Sequence, residues 1–180
     1  QQRQAIETAV SSGMTVITGG PGTGKTTIIK CIIKLLSVSG EIALAAPTGR
    51  AAKRMSEACG MEAKTIHRLL EMEYADNEGR GAGFRRGEDN VLDEGVIIID
   101  EASMLDVSLM YHLLRAVPGG CRLILVGDVD QLPSVGPGNV FSSVIRSSVV
   151  ATVRLTEIFR QNDGSRIVRN AHSINRGEYP

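Results

Sequence analysis

Tryptophan is absent from this 180-residue sequence, and aromatic residues make up only 3% of it. A core without large rings has to be built from Ile, Leu, Val and Ala, the composition of buried parallel strands covered by helices. No apolar run approaches the ~20 residues that span a bilayer, and nothing reads as a signal peptide. A membrane partner is therefore excluded, and the expectation is a soluble, cytoplasmic protein. Net charge is missing too: 20 basic residues balance 20 acidic ones, so the chain as a whole is no basic magnet for nucleic acid. The balance is uneven along the chain. Residues 1–40 carry four basic residues against one acidic, and residues 91–149 carry three against seven.

Cysteine is sparse as well. Cys31, Cys59 and Cys121 are scattered and odd in number, which fits neither a zinc site nor a disulfide framework. They read as buried small hydrophobes. The length suits a single domain over 1–180. The first residue is Gln1 and not Met, so the expectation is a piece of a longer protein.

What the sequence does have is 42% hydrophobic residues in a definite order. Residues 14–18, 42–46, 96–99, 123–126 and 149–155 are short, nearly continuous apolar runs rich in β-branched residues, as buried strands require. Helical periodicity separates most of them, over 3–12, 25–37, 50–59, 65–72, 107–117 and 166–176. Strands alternating with helices predict an α/β fold, a parallel sheet with helices on both faces. The stretch 74–90, YADNEGRGAGFRRGEDN, is rich in glycine and charge. It reads as a surface loop or small hairpin whose Arg80, Arg85 and Arg86 are solvated or touch a nucleic-acid backbone.

Between the first strand and the second helix lies Gly19-Gly20-Pro21-Gly22-Thr23-Gly24-Lys25-Thr26, which fits G-x-x-x-x-G-K-S/T. The glycines allow successive N–H groups to turn inward around phosphate oxygens, and the helix that follows adds its positive end. Gly20, Pro21, Gly22, Thr23, Gly24, Lys25, Thr26 and Thr27 are thus candidates to hold ATP. Lys25 supplies a point charge for the β- and γ-phosphates, and the Thr26 hydroxyl suits Mg²⁺. The third apolar run, Val96-Ile97-Ile98-Ile99-Asp100-Glu101, ends a buried strand in two carboxylates. Strand alternation would aim them differently. Asp100 is the candidate for Mg²⁺, and Glu101 is the candidate to orient or deprotonate the attacking water. Together the two motifs predict a nucleoside-triphosphate hydrolase with a P-loop.

Residues 123–138 read LILVGDVDQLPSVGPG, another buried strand followed by a polar turn and a Gly/Pro-rich loop. This string resembles the third motif of superfamily 1 helicases, G-D-x-x-Q-L-P-x-V. In that family the glutamine at the position of Gln131 contacts the γ-phosphate and links it to DNA. Other motifs follow the family's order. Gln2-Arg3-Gln4-Ala5 resembles the N-terminal glutamine motif, with Gln2 at the adenine-reading position. APTGRAAKR, residues 46–54, resembles the first DNA-contacting motif, with Pro47, Thr48 and Arg50 as contacts and Lys53 and Arg54 as ordinary solvated helix charges. TIHRLL, residues 65–70, resembles a second DNA-contact motif through Thr65 and His67, although His67 also reads as a plain surface histidine. LTEIFRQ, residues 155–161, matches the fourth motif and puts Arg160 where the family reaches the γ-phosphate.

The set is most similar to the RecD/TraA branch. The resemblance implies a RecA-like fold, ATP and Mg²⁺ as cofactors, and single-stranded DNA as the track, with 5′-to-3′ movement. It implies a role in DNA repair or recombination, with partner subunits of a repair complex. It also implies a second RecA-like domain in the same parent chain, carrying the family's remaining motifs. Two other readings stay open at this point. One is a P-loop ATPase that remodels protein, against which the string around Gln131 argues. The other is a nucleotide-regulated binding module without turnover.

Overall fold

Val96-Ile97-Ile98-Ile99 has no polar side chain to turn toward water, and all four residues are buried. Such a strand needs a covering layer on each face, and the rest of the chain supplies two. The computed structural model describes residues 1–38, 40–73 and 83–157, together with Asn170, Ser173, Ile174, Gly177 and Tyr179. In chain order the elements begin with α1 (Gln2–Ser11), β1 (Met14–Gly19), α2 (Lys25–Leu36), β2 (Ile42–Ala46) and α3 (Gly49–Cys59). They continue with β3 (Ala63–Thr65), α4 (Ile66–Leu69), β4 (Met72–Glu73), β5 (Gly83–Phe84) and β6 (Val96–Ile99). A 3-10 turn (Ala102–Met104), α5 (Val107–Ala116), β7 (Arg122–Gly127), α6 (Val140–Ser147) and β8 (Ala151–Leu155) complete the set.

Six strands form one sheet in the order β3-β2-β6-β7-β1-β8, and every pairing is parallel. Alternation along each strand splits the core into two layers. Ile17, Leu44, Ile98, Ile124 and Val126 face one side, against Ala5 and Ala9 of α1, Ile28, Ile29 and Ile32 of α2, and Met55 of α3. Val16, Ala43, Ala45, Ile97, Ile99, Leu123 and Leu125 face the other, against Ile66 and Leu69 of α4, Leu109 and Leu113 of α5, and Phe141 and Ile145 of α6. Each large side chain so covered contributes roughly 1.5–3 kcal/mol relative to exposure. The expected parallel sheet with helices on both faces is the observed architecture.

Several boundaries differ from the sequence reading. The helix expected over 65–72 is a single turn, because Thr65 belongs to β3 and Met72 to β4. The third strand at the sheet edge and α6 were not foreseen. α6 starts at Asn139, whose side chain accepts a hydrogen bond from the Ser142 N–H. The stretch 74–90 is bounded by a small antiparallel pair, with Met72 opposite Phe84 and Glu73 opposite Gly83. Within it Arg86 is committed to the protein. Its guanidinium reaches Glu71 at 2.8 Å, Asp93 at 3.1 Å and the Val91 carbonyl at 2.8 Å. Arg85 lies 3.5 Å from Glu73. Arg80 falls outside the described residues, as does most of the helix expected over 166–176, of which Asn170, Ser173 and Ile174 are described and helical. The three cysteines are half-buried rather than buried.

Parallel strands put every carboxyl end on one edge of the sheet. β1 delivers the glycine loop there, β2 delivers 47–50, β3 delivers Thr65, β6 delivers Asp100 and Glu101, and β7 delivers Asp128. In open α/β sheets this edge is where ligands bind.

Candidate active site

The glycine loop runs from Gly19 to the first turn of α2. Gly24 stands just before the helix with φ 88°, in the left-handed region that glycine adopts without strain. Thr23 closes the loop from within, its hydroxyl donating to the Gly20 carbonyl at 2.8 Å. The Lys25 ammonium arches back over the loop and donates to the carbonyls of Gly19 and Gly20, the latter at 3.1 Å. These are neutral acceptors, so the ammonium charge stays available to an anion in the same cradle. Gln2 approaches from α1 and donates to the Thr23 carbonyl at 3.2 Å. Beside it, Gln1 accepts from the Thr156 N–H at 2.7 Å, tying the end of β8 to the chain's first residue.

A cavity of about 370 Å³ opens on one side of the loop, and Gly22, Lys25, Thr26, Asp100, Glu101 and Gln131 all line it. Residues as far apart in sequence as Gly22 and Gln131 thus converge on one space. A second cavity of about 210 Å³ lies on the other side, between Gly19, Gly20, Pro21 and Thr23 and the residues Asp128, Asp130 and Arg154. Thr27 lines neither cavity; it is exposed on the first turn of α2. Arg160 lies outside the described residues.

The two acids lie just past the strand and not on it. β6 ends at Ile99, so strand alternation does not reach them. The backbone kinks at Glu101, which has φ 54° and ψ 38°, a left-handed conformation that costs a residue with a side chain about 1–2 kcal/mol. This kink starts the 3-10 turn, and both carboxylates line the cavity. Burial pushes the Asp100 carboxyl above the usual carboxylate range. The Glu101 backbone N–H opposes this at 2.9 Å from Oδ1, the Glu101 charge adds to it, and Lys25 and Arg54 oppose it. A part-buried carboxylate that is costly to ionise alone favours a cation beside it.

Among the described residues no group of three or more His, Cys, Asp or Glu could hold a metal. Of the donors that line the cavity, the Thr26 hydroxyl and the Asp100 carboxylate fit Mg²⁺, which takes few protein ligands and relies on phosphate oxygens and water.

The turn after β7 is fastened to β1. The Thr18 hydroxyl, buried in β1, accepts from the Val129 N–H at 3.1 Å, and buried Asp128 accepts from the Asp130 N–H at 3.0 Å. This brings Gln131 to the cavity. Sequence reading gave neither Thr18 nor Asp128 a role, although both stand at strand ends within the motifs.

Arg54 is the larger omission. It is no free helix charge: its Nη2 donates to Glu101 Oε1 at 3.3 Å, and it lines the phosphate-side cavity with Ala51, Met55, Ala58 and Cys59. The spacing 51, 54, 55, 58 is one face of a helix, a signal that points α3 at something. Lys53, by contrast, lines neither cavity.

The residues expected to meet DNA stand on the same edge, beyond β2 and β3. Thr48 caps α3, its hydroxyl accepting from the Ala51 N–H at 3.2 Å. Thr65 caps α4 in the same way, accepting from Arg68 at 3.1 Å. Both hydroxyls therefore have structural work. Pro47 is half-buried, while Arg50 and His67 are exposed. The His67 ring lies 5.9 Å from that of Phe84.

A family model described as an AAA domain matches residues 2–137. The chain is 39% identical over 182 residues to the ATP-dependent RecD2 DNA helicase of Deinococcus radiodurans, an alignment that covers 100% of this chain and 24% of that protein. It is 40% identical over 209 residues to the RecBCD enzyme subunit RecD of Mycobacterium tuberculosis, covering 93% of this chain and 35% of that one. Among solved structures, the Pif1 helicase from Candida albicans matches with a TM-score of 0.70 and 26% identity, over 99% of this chain and 44% of that one. The chain thus spans between a quarter and about a third of the length of these two curated relatives.

Proposed function

Since the chain belongs to the AAA domain family and shares 39–40% identity with RecD-type helicases, we propose that it is the first RecA-like motor domain of an ATP-dependent DNA helicase. In this reading residues 1–180 form one motor half, and a second RecA-like domain of the parent chain supplies the opposite wall of the nucleotide cleft. The observation that carries it is the convergence of Lys25, Thr26, Asp100, Glu101 and Gln131 on a single cavity.

The roles follow from the chemistry at each position. The loop N–H groups and Lys25 hold the phosphates of ATP, and Gln2, fixed to the loop, reads the base. Thr26 and Asp100 hold Mg²⁺, which when bound offsets phosphate charge. Glu101 takes the proton of the attacking water. Gln131 senses the γ-phosphate, and its turn, pinned to β1 through Thr18, relays that state along the sheet edge. Pro47, Thr48, Arg50, Thr65 and His67 form the face that meets single-stranded DNA, with backbone N–H groups and Arg50 on the phosphates. Hydrolysis then drives 5′-to-3′ movement in DNA repair or recombination, in company with other subunits, inside the cell.

The test is Mg²⁺-dependent ATP hydrolysis by the full-length protein with and without single-stranded DNA. Stimulation by DNA that Lys25→Ala abolishes is the expected result. Hydrolysis indifferent to DNA would leave a P-loop ATPase of another kind.

A further inference from the structure

Helix α3 belongs to two neighbourhoods at once. Its first turn, with Thr48 as cap and Arg50 exposed, stands at the carboxyl end of β2. One flank of the same helix, Ala51, Arg54, Met55 and Ala58, is a wall of the cavity that holds Lys25 and Asp100. From that flank Arg54 Nη2 donates to Glu101 Oε1 at 3.3 Å. The two residues are 47 positions apart in sequence, so this is no ion pair along one helix face. It spans the seam between α3 and the turn after β6. Among the described residues, Arg54 is the only ion-pair partner of Glu101.

A general base works only when its oxygen stands within about 2.6–3.2 Å of the proton it takes. A carboxylate oxygen engaged by a guanidinium is turned to that partner and not to a water in the cavity. Glu101 also sits on a left-handed kink, where a small backbone change re-aims the side chain. The restraint is light enough to be reversible. Arg54 is 64% exposed and Glu101 21%, so water and salt weaken the pair, as a contact that must be made and broken requires. Any shift of α3 when a ligand engages its first turn moves Arg54 relative to the 3-10 turn, because Arg54 lies little more than one helical turn further along.

We propose that Arg54 is a positioning residue that restrains Glu101 until single-stranded DNA engages the first turn of α3, so that DNA contact releases hydrolysis. This rests on the reading of Glu101 as the base and of the α3 start as a DNA contact, and it adds the residue that joins them.

The experiment is steady-state ATP hydrolysis by the full-length protein, with and without single-stranded DNA, for the wild type, Arg54→Ala, Arg54→Lys and Glu101→Gln. Arg54→Ala should raise the DNA-independent kcat roughly two- to fivefold, the scale of a partly exposed ion pair, with KM for ATP unchanged. The DNA-stimulated rate should be kept, so the stimulation ratio falls by the same factor. Arg54→Lys, which keeps the charge, should restore most of the ratio. In the Glu101→Gln background, Arg54→Ala should change nothing. An unaltered basal rate and ratio in Arg54→Ala would make Arg54 a solvated charge and overturn the proposal. A parallel fall of kcat with and without DNA would place Arg54 on the phosphates and overturn it equally. Failure of the underlying reading looks different: Glu101→Gln would then hydrolyse ATP at the wild-type rate, whatever Arg54 does.

Discussion

Gln2 and Gly24 meet across the nucleotide loop: the Gln2 amide donates to the Thr23 carbonyl at 3.2 Å, and a Cβ added at Gly24 would collide with that same amide nitrogen. The contact joins the start of α1 to the start of α2, although the two residues are 22 positions apart. It makes the first helix part of the site and not a mere cover for the sheet.

Gly24→Ala therefore faces two penalties at once. The left-handed backbone, φ 88°, costs Ala at least ~1 kcal/mol, and the methyl displaces Gln2. We expect a lower melting temperature and ATP affinity reduced about tenfold or more, read by calorimetry. Gln2→Ala removes the collision but not the backbone strain, so the double variant should lose less than the two single losses added. Strict additivity would mean that the Gln2–Gly24 contact has no energetic weight.

The kink at Glu101 gives the two acids separable phenotypes. Glu101→Gln keeps the shape and removes the base, so ATP should still bind while turnover of the full-length protein falls roughly 10²–10⁴-fold. Asp100→Asn should instead raise the Mg²⁺ concentration needed for half-maximal activity. A Mg²⁺ titration of both variants separates them, and exchanged behaviour would reverse the assignment.

Strands such as β6 were legible because a fully buried parallel strand leaves a run like Val-Ile-Ile-Ile in the sequence, and the glycine loop because its residue types are fixed by the turn it makes. β3 was not, since three residues at a sheet edge, Ala63–Thr65, none of them buried, carry no apolar run. α6 was missed because eight residues with three serines, VFSSVIRS, leave only Phe141 and Ile145 as buried anchors. The Arg54–Glu101 pair was hidden for another reason: nothing local to either residue reports a partner 47 positions away. The helix starts beside Thr48 and Thr65 were legible, over 50–59 and 65–72; that both hydroxyls close the first turn was not.

Cys121 tests the packing beside β7. Burial, with the nearby Glu94 charge, pushes its thiol up to about 11. A cysteine reacts as the thiolate, so at pH 8 only about one part in a thousand is reactive. Alkylation by iodoacetamide, followed by mass spectrometry of the native protein, should be slow at pH 8 and rise about tenfold per pH unit toward that value. Labelling at pH 8 as fast as that of a free peptide thiol would show that the site is open to water.

Thr48 and Arg50 stand two residues apart in the stretch proposed to meet DNA, yet their substitutions should fail in different ways. The Thr48 hydroxyl accepts the Ala51 N–H at 3.2 Å, so Thr48→Ala leaves a donor of the first turn unpaired and costs about 1 kcal/mol of stability. Thr48→Ser keeps the acceptor and should restore it. Arg50 is exposed, so Arg50→Ala should leave the melting temperature within the small range of surface substitutions. Its loss should appear in binding: affinity for single-stranded DNA falls whatever the sequence, and the slope of log K against log salt decreases by roughly 0.7, the value of one phosphate contact on a single strand. Fluorescence anisotropy with the full-length protein across a salt series reads both terms, and thermal melts of the same samples read the first. An unchanged salt slope in Arg50→Ala would remove Arg50 from the DNA face. The N-terminal turn of α3 would then be left to bind phosphate through its backbone alone, and only the cap at Thr48 would hold that turn in shape.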